Sequence, residues 1–163
     1  SPGRSRLASG AETGKIHLWD ISDTGSGDET AVELGSHQEQ VNVVTFSPGG
    51  KWLASGSTDK TVRLWDVERA EPIAVLKSHR AKVTALAFSP DGKWLSSASE
   101  DRSVKLWSLD AKSRKVTLKR TLRHFQKSVS AVAYSADGKT LITTDNSRIL
   151  LIDIHSLLGS QSD

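Results

Sequence analysis

Serine, histidine and aspartate recur in this chain at fixed spacing, and together they are the residue set of nucleophilic acyl transfer. One set is His37, Ser55 and Asp59, followed by Trp65; the next is His79, Ser97 and Asp101, followed by Trp107. A buried carboxylate can orient a histidine that deprotonates a serine, so hydrolysis is the first chemistry to weigh. Two features argue against it. A nucleophile is needed once, yet the same four residues occur twice with the same internal spacing. The serine of a hydrolase also sits on a strained Gly-x-Ser-x-Gly elbow, and the sequence holds no such pentapeptide. Nor is there a His-Glu-x-x-His, a phosphate-binding Gly-x-x-x-x-Gly-Lys-[Ser/Thr] or a calcium-loop spacing. The expectation is a chain with no catalytic residues, no metal and no cofactor.

The elements that must position these residues come from internal repetition. "VNVVTFSPGGKWLASGSTDKTVRLWDV" (Val41 to Val67) returns as "VTALAFSPDGKWLSSASEDRSVKLWSL" (Val83 to Leu109), and again, worn, as "VSAVAYSADGKTLITTDNSRILLIDI" (Val129 to Ile154). The first 21 residues match the unit from its "SPGG" onward. A period in the low forties is too long for a leucine-rich or helical-hairpin repeat and fits a propeller blade. Within each unit "VNVVTF" and "VTALAF" read as strands buried on both faces, and "SPGG", "SPDG" and "SADG" as turns. "WLASG" and "WLSSAS" give a second strand, "TVRLWD" and "SVKLWS" a third, and segments such as "PIAVLK" (Pro72 to Lys77) a fourth. No stretch shows a sustained helical period with capping signals. The predicted fold class is all-β, with four-stranded antiparallel sheets in series. The units are 1–34 (incomplete), 37–76, 79–122 and 124–157 (incomplete), with 158–163 as a tail.

On these motifs, and on Ser36-His37, Ser78-His79 and Arg123-His124 at the family's Gly-His position, the chain resembles the WD-repeat β-propeller family. The resemblance implies that each Ser-His-Asp-Trp set is a structural tetrad, a hydrogen-bond chain running from the indole through Ser and His to Asp. It also predicts decay at the ends. Ser9 and Trp19 are present in the first unit, but Thr13 stands where the Asp belongs. In the last unit Ile152 replaces the Trp, Asp145 or Asn146 is the nearest acid, and His124 and Thr143 keep at most a partial network.

Partners of the family usually dock on the face carrying the Ser-His loop and the turn between the second and third strands. Carried over, the candidate partner-binding positions are Glu12, Gln40, Asn42, Thr58, Lys82, Thr84, Glu100, Ser128 and Ser130. They are polar and mixed in charge, which suits a polar peptide or a transient partner. Trp52 and Trp94 are expected to pack on a neighbouring strand or blade, with an exposed partner anchor as the alternative. His17 and His155 are expected to be exposed, and "GSG" (Gly25 to Gly27) to be a flexible connector.

Charge adds a second theme. Net charge is only +3, but Ile16 to Gly50 holds six acidic residues and no Lys or Arg, whereas Lys112 to Lys127 holds seven basic residues and no acid. Those seven, Lys112, Arg114, Lys115, Lys119, Arg120, Arg123 and Lys127, are candidate contacts for phosphate or an acidic partner. On an outer strand they would equally guard an exposed edge against pairing. Aromatics for base stacking are scarce there, with only Phe125 nearby, so RNA binding would rest on charge. The absence of cysteine fits a reducing compartment, and no apolar run is long enough to span a bilayer as a helix.

The resulting expectation is an intracellular, cytoplasmic or nuclear, non-enzymatic scaffold that binds other proteins or peptides and no membrane. An RNA-associated propeller and the sensor repeats of a signalling ATPase are the alternatives. Receptor repeats of a ubiquitin ligase are disfavoured, because "WDIS", "WDVE" and "WSLD" lack the basic residue expected after Trp-Asp-x. Because the chain opens inside a turn, it is further expected to be a segment of a longer ring, with self-association to complete a ring as second choice.

Overall fold

The computed structural model describes residues 5–21, 31–123 and 125–158. Gly25 to Gly27 and His124 therefore lie outside the described residues. Four antiparallel meanders follow one another along the chain. The first sheet is β1 (Arg6–Gly10), β2 (Lys15–Asp20) and β3 (Ala31–Ser36). The second is β4 (Val41–Phe46), β5 (Trp52–Ser57), β6 (Thr61–Asp66) and β7 (Glu71–Lys77). The third is β8 (Val83–Phe88), β9 (Trp94–Ser99), β10 (Ser103–Asp110) and β11 (Lys115–Leu122). The last is β12 (Ala131–Tyr134), β13 (Thr140–Thr144) and β14 (Ile149–Asp153). The all-β class and the serial sheets expected from the repeats are thus what the chain adopts. The two outer sheets have three strands each.

The core lies between sheets. Successive strand residues point to opposite faces, so β6 serves two neighbours at once. Val62 and Leu64 join Trp52, Leu86, Leu95 and Trp107 in a cluster shared with the third sheet. Trp65 joins Ile16, Leu18, Leu34 and Leu53 in a cluster shared with the first. The third sheet repeats the scheme, with Val104 and Leu106 packing against Val129, Val132 and Leu141 of the last. Trp52 is accordingly buried against the following sheet, whereas Trp94 is half-buried and faces a cleft of about 490 Å³ beside Ile154 and His155. Truncating a core side chain such as Leu64 to alanine would cost about 2–5 kcal/mol. Where sheets meet most closely, size is limiting: a Cβ at Gly56 would lie 2.5 Å from Val83 Cγ1.

Local sequence sets the turns. The residue after each tetrad aspartate adopts a left-handed backbone, with φ of 70° at Lys60, 62° at Arg102 and 64° at Asn146. In the first sheet Gly14 takes the corresponding place at 85°, where glycine carries no steric cost.

Two expectations need correction. His17 is half-buried rather than exposed, because strand alternation places it beside Trp19, with ring centroids 6.3 Å apart and a 48° tilt. A short helix, α1 (Ile154–Leu158), follows β14 although no helical period was evident. Asp153 nucleates it by accepting the Ser156 amide at 3.1 Å, an aspartate N-cap. Buried Ile154 ties it to the last inter-sheet core.

The end sheets each leave one face uncovered by any described residue. Ile149 and Leu151 of β14 are 73% and 71% exposed, while Val62 and Leu64, their counterparts in β6, are fully buried. Leu7 is 54% exposed where its counterpart Leu53 is covered by the preceding sheet.

Candidate interaction face

The serine, histidine, aspartate and tryptophan of the second sheet form one continuous hydrogen-bond chain. The Trp65 indole donates to Ser55 Oγ at 2.9 Å, and Ser55 Oγ lies 2.8 Å from His37 Nε2. His37 Nδ1 stands 2.9 Å from Asp59 Oδ2. Because the Asp59 carboxylate can only accept, Nδ1 of the neutral His37 carries the proton and donates to it, which leaves Nε2 to accept the Ser55 hydroxyl while Ser55 Oγ accepts the indole proton. The third sheet repeats this, with Trp107 to Ser97 at 3.0 Å, Ser97 to His79 at 2.8 Å and His79 to Asp101 at 3.0 Å. Ser55 and Ser97 have no solvent exposure at all. A serine that no substrate can reach, and whose oxygen is already taken by an indole, is not arranged as a nucleophile.

Asp59 also fixes the loops around it. Its Oδ2 accepts the Gln38 amide at 3.1 Å, and its Oδ1 accepts the Thr61 amide and hydroxyl at 2.9 and 2.7 Å. Burial alone would raise its pKa, but these donors together with the His37 ring bring it down to about 2. Burial pushes the pKa of both His37 and His79 below the ordinary range, against the opposing pull of Asp59 and Asp101.

The decayed units keep parts of the pattern. In the first sheet the Trp19 indole still donates to Ser9 Oγ, at 3.1 Å. In the last, Asp145 rather than Asn146 occupies the aspartate place. It is fully buried, accepts the Gln126 amide at 3.1 Å as Asp59 accepts Gln38, and accepts the Ser147 hydroxyl at 2.6 Å. The Ser147 hydroxyl is the main cause of its pKa lying near 2. Thr143 turns its hydroxyl to the Ala131 carbonyl.

These aspartates hold the loops that carry the candidate partner positions. Glu12, Gln40, Asn42, Glu100 and Ser130 are exposed, whereas Thr58, Lys82, Thr84 and Ser128 are half-buried. Several are already engaged within the chain. Lys82 pairs with Glu100 at 3.0 Å, and Ser130 donates to Asn146 at 2.8 Å. Asn42 bonds Thr58 at 3.2 Å and reaches the Val83 carbonyl at 3.0 Å; Thr84 reaches the Val129 carbonyl at 2.5 Å. Gln40 and Glu12 are exposed and make no side-chain hydrogen bond or ion pair among the described residues.

The basic stretch runs from the turn before β11, an edge strand of its sheet, through that strand and into the loop after it. Lys112, Lys115, Lys119, Arg120, Arg123 and Lys127 are exposed there. Arg120 donates through Nε to the Leu157 carbonyl at 2.8 Å, and Arg114 pairs with Asp66 of the preceding sheet at 3.3 Å. The stretch is therefore partly consumed in holding α1 and the neighbouring sheet. A different set of cations went unnoticed in the sequence. Lys60, Arg63 and Lys77 line one groove, but a turn, a third strand and a fourth strand contribute one each, so no run of charge announces them.

Among the described residues no group of three or more His, Cys, Asp or Glu is placed to hold a metal, and no helix is long and apolar enough to cross a membrane.

Serial antiparallel sheets, the two complete ones each pinned by an indole-to-carboxylate chain at the same place, define a propeller-type repeat protein. The WD40 family description, "WD domain, G-beta repeat", matches residues 27–66, 70–108 and 116–153, and the chain belongs to that family. Each matched segment joins the outer strand of one sheet to the inner three of the next, so consecutive repeats interlock. No curated protein matches the chain closely enough to add a relative.

Proposed function

We propose that the chain is a non-enzymatic scaffold that presents the loop end of its sheets to a protein or peptide partner. The observation that carries this reading is the commitment of every tetrad serine, histidine and aspartate in the two complete sheets to hydrogen bonds within its own unit. What that architecture leaves facing outward is a rim of short polar side chains held on fixed turns. Such a rim favours hydrogen-bonded recognition of modest affinity over an apolar anchor. The partner is proposed to meet Glu12, Gln40 and Glu100 first, with Asn42, Thr58, Lys82, Thr84, Ser128 and Ser130 serving mainly to shape the rim.

The test is site-specific photo-crosslinking in cells that express the full protein, with the reactive group placed at Gln40 or Glu100, or at Asp91 or Asp137 on the opposite turns. Discrete adducts from the first pair alone are expected. Adducts from the second pair alone would move the docking face to the other end of the sheets.

A further inference from the structure

We propose that the groove at the loop end of the second sheet, where β7 leaves it for the third, is a binding site for a phosphate monoester. The groove has a volume of about 370 Å³ and brings Lys60, Arg63 and Lys77 together with the neutral donors Gln38 and Thr61. The Arg63 guanidinium makes no hydrogen bond or ion pair with any described residue, and its Nε is buried without a partner. Buried donors of this kind nearly always have an acceptor. Lys60 and Lys77 are exposed and also make no ion pair among the described residues.

Of the remaining lining residues Asp59 carries one negative charge against the three positive ones, so the groove stays net positive. Both oxygens of Asp59 are occupied by the Thr61 amide and hydroxyl, the His37 ring and the Gln38 amide. His79 is held between Ser97 and Asp101. The third sheet carries the positive rim onward with Arg80, Arg102, Lys105 and Arg123 at the corresponding positions. There, however, Lys105 is buried and donates to Thr121 at 3.3 Å, so it is turned inward.

Two ammonium groups beside one guanidinium suit a ligand of nearly two negative charges, as a phosphate monoester carries at neutral pH, and guanidinium geometry matches phosphate oxygens. No Phe, Tyr or Trp lines the groove, and the His79 ring is buried in its own hydrogen-bond chain. No ring is therefore offered for a base to stack on, which separates this chemistry from single-stranded RNA. None of these residues belongs to the rim proposed for partner docking, so the site goes beyond that reading and does not depend on it.

The experiment is a calorimetric titration of the chain with phosphoserine, inorganic phosphate, a phosphoserine peptide, the unphosphorylated peptide and a dinucleotide monophosphate. Saturable binding of phosphoserine is expected. It should weaken at least tenfold in Arg63→Gln, and again in the exposed double variant Lys60→Gln/Lys77→Gln, whose folding does not rest on a half-buried side chain. It should also weaken between pH 7.5 and 5, as the monoester loses its second charge near pH 6. Equal affinity for inorganic phosphate and the phosphopeptide identifies a free phosphate as the ligand; tighter binding of the phosphopeptide identifies a phosphorylated segment. No saturable binding, no loss in either variant, or equal binding of the dinucleotide overturns the proposal. Crosslinking at Gln40 and Glu100 stays unchanged in the lysine variant, so the two readings fail separately.

Discussion

The side-chain amide of Asn42 crosses from the second sheet to the third and donates to the main-chain carbonyl of Val83 at 3.0 Å. Thr84, the same residue of the next repeat, does likewise to Val129 at 2.5 Å. A position that the resemblance marks for partners thus also fastens one unit to its successor. Losing one such bond removes a net of about 0.5–1.5 kcal/mol. Asn42→Ala and Thr84→Val are each expected to lower the unfolding free energy by that amount, read as a lower urea midpoint with the slope unchanged. An unchanged midpoint in both would show that these bonds contribute nothing between sheets.

The tetrads make stability fall in acid in two stages. His37 and His79 have folded pKa values depressed by burial, so the unfolded chain takes up protons first as pH drops through about 6.5. Asp59 and Asp145, held near 2, contribute stability that is present above about pH 4 and lost as pH falls toward 2. Unfolding curves from pH 8 to 2.5 should show both losses. Trp65→Phe should remove the indole donor and cost about 1–3 kcal/mol at pH 7. A flat profile between pH 7 and 5 would contradict the buried neutral histidines.

Much of this was legible beforehand, because strands, turns and the Ser-His-Asp-Trp spacing repeat in register and each repeat corroborates the others. What escaped has physical reasons. Helix α1 is a single capped turn, too short for an apolar period to emerge, and it is fixed by Ile154 packing and by Arg120. Asp145 could not be told from Asn146, since a one-residue deletion blurs the alignment and only the Gln126 amide decides between them. The double duty of Asn42 needs the neighbouring sheet in place.

The cations of β11, an edge strand of the third sheet, are expected to guard that edge. Replacing Lys115 and Lys119 of β11 by glutamine should leave the unfolding free energy within about 0.5 kcal/mol while raising aggregation, because charge is what discourages edge pairing. Light scattering over time reads this out. Salt-dependent RNA binding that vanishes in the same variant would instead assign the strand to phosphate contact.

The face of β14 that carries Ile149 and Leu151 is apolar and uncovered by any described residue, so it is expected to promote self-association. Ile149→Lys/Leu151→Lys should reduce self-association and hydrophobic-dye binding with little loss of stability, since both side chains are largely exposed. Sedimentation would show the change. A parent chain that is already monomeric and binds no dye would refute the expectation.

The account rests on Ser55 as a structural residue, and Ser55→Ala tests that most directly. Its unfolding free energy is to be measured beside hydrolysis of a panel of activated esters by the same preparations. The expected result is a loss of about 1–3 kcal/mol, from stranding the Trp65 indole and His37 Nε2, with ester turnover at the buffer rate in both proteins. A parent chain that turns esters over, and a variant that keeps its stability but loses that turnover, would contradict it.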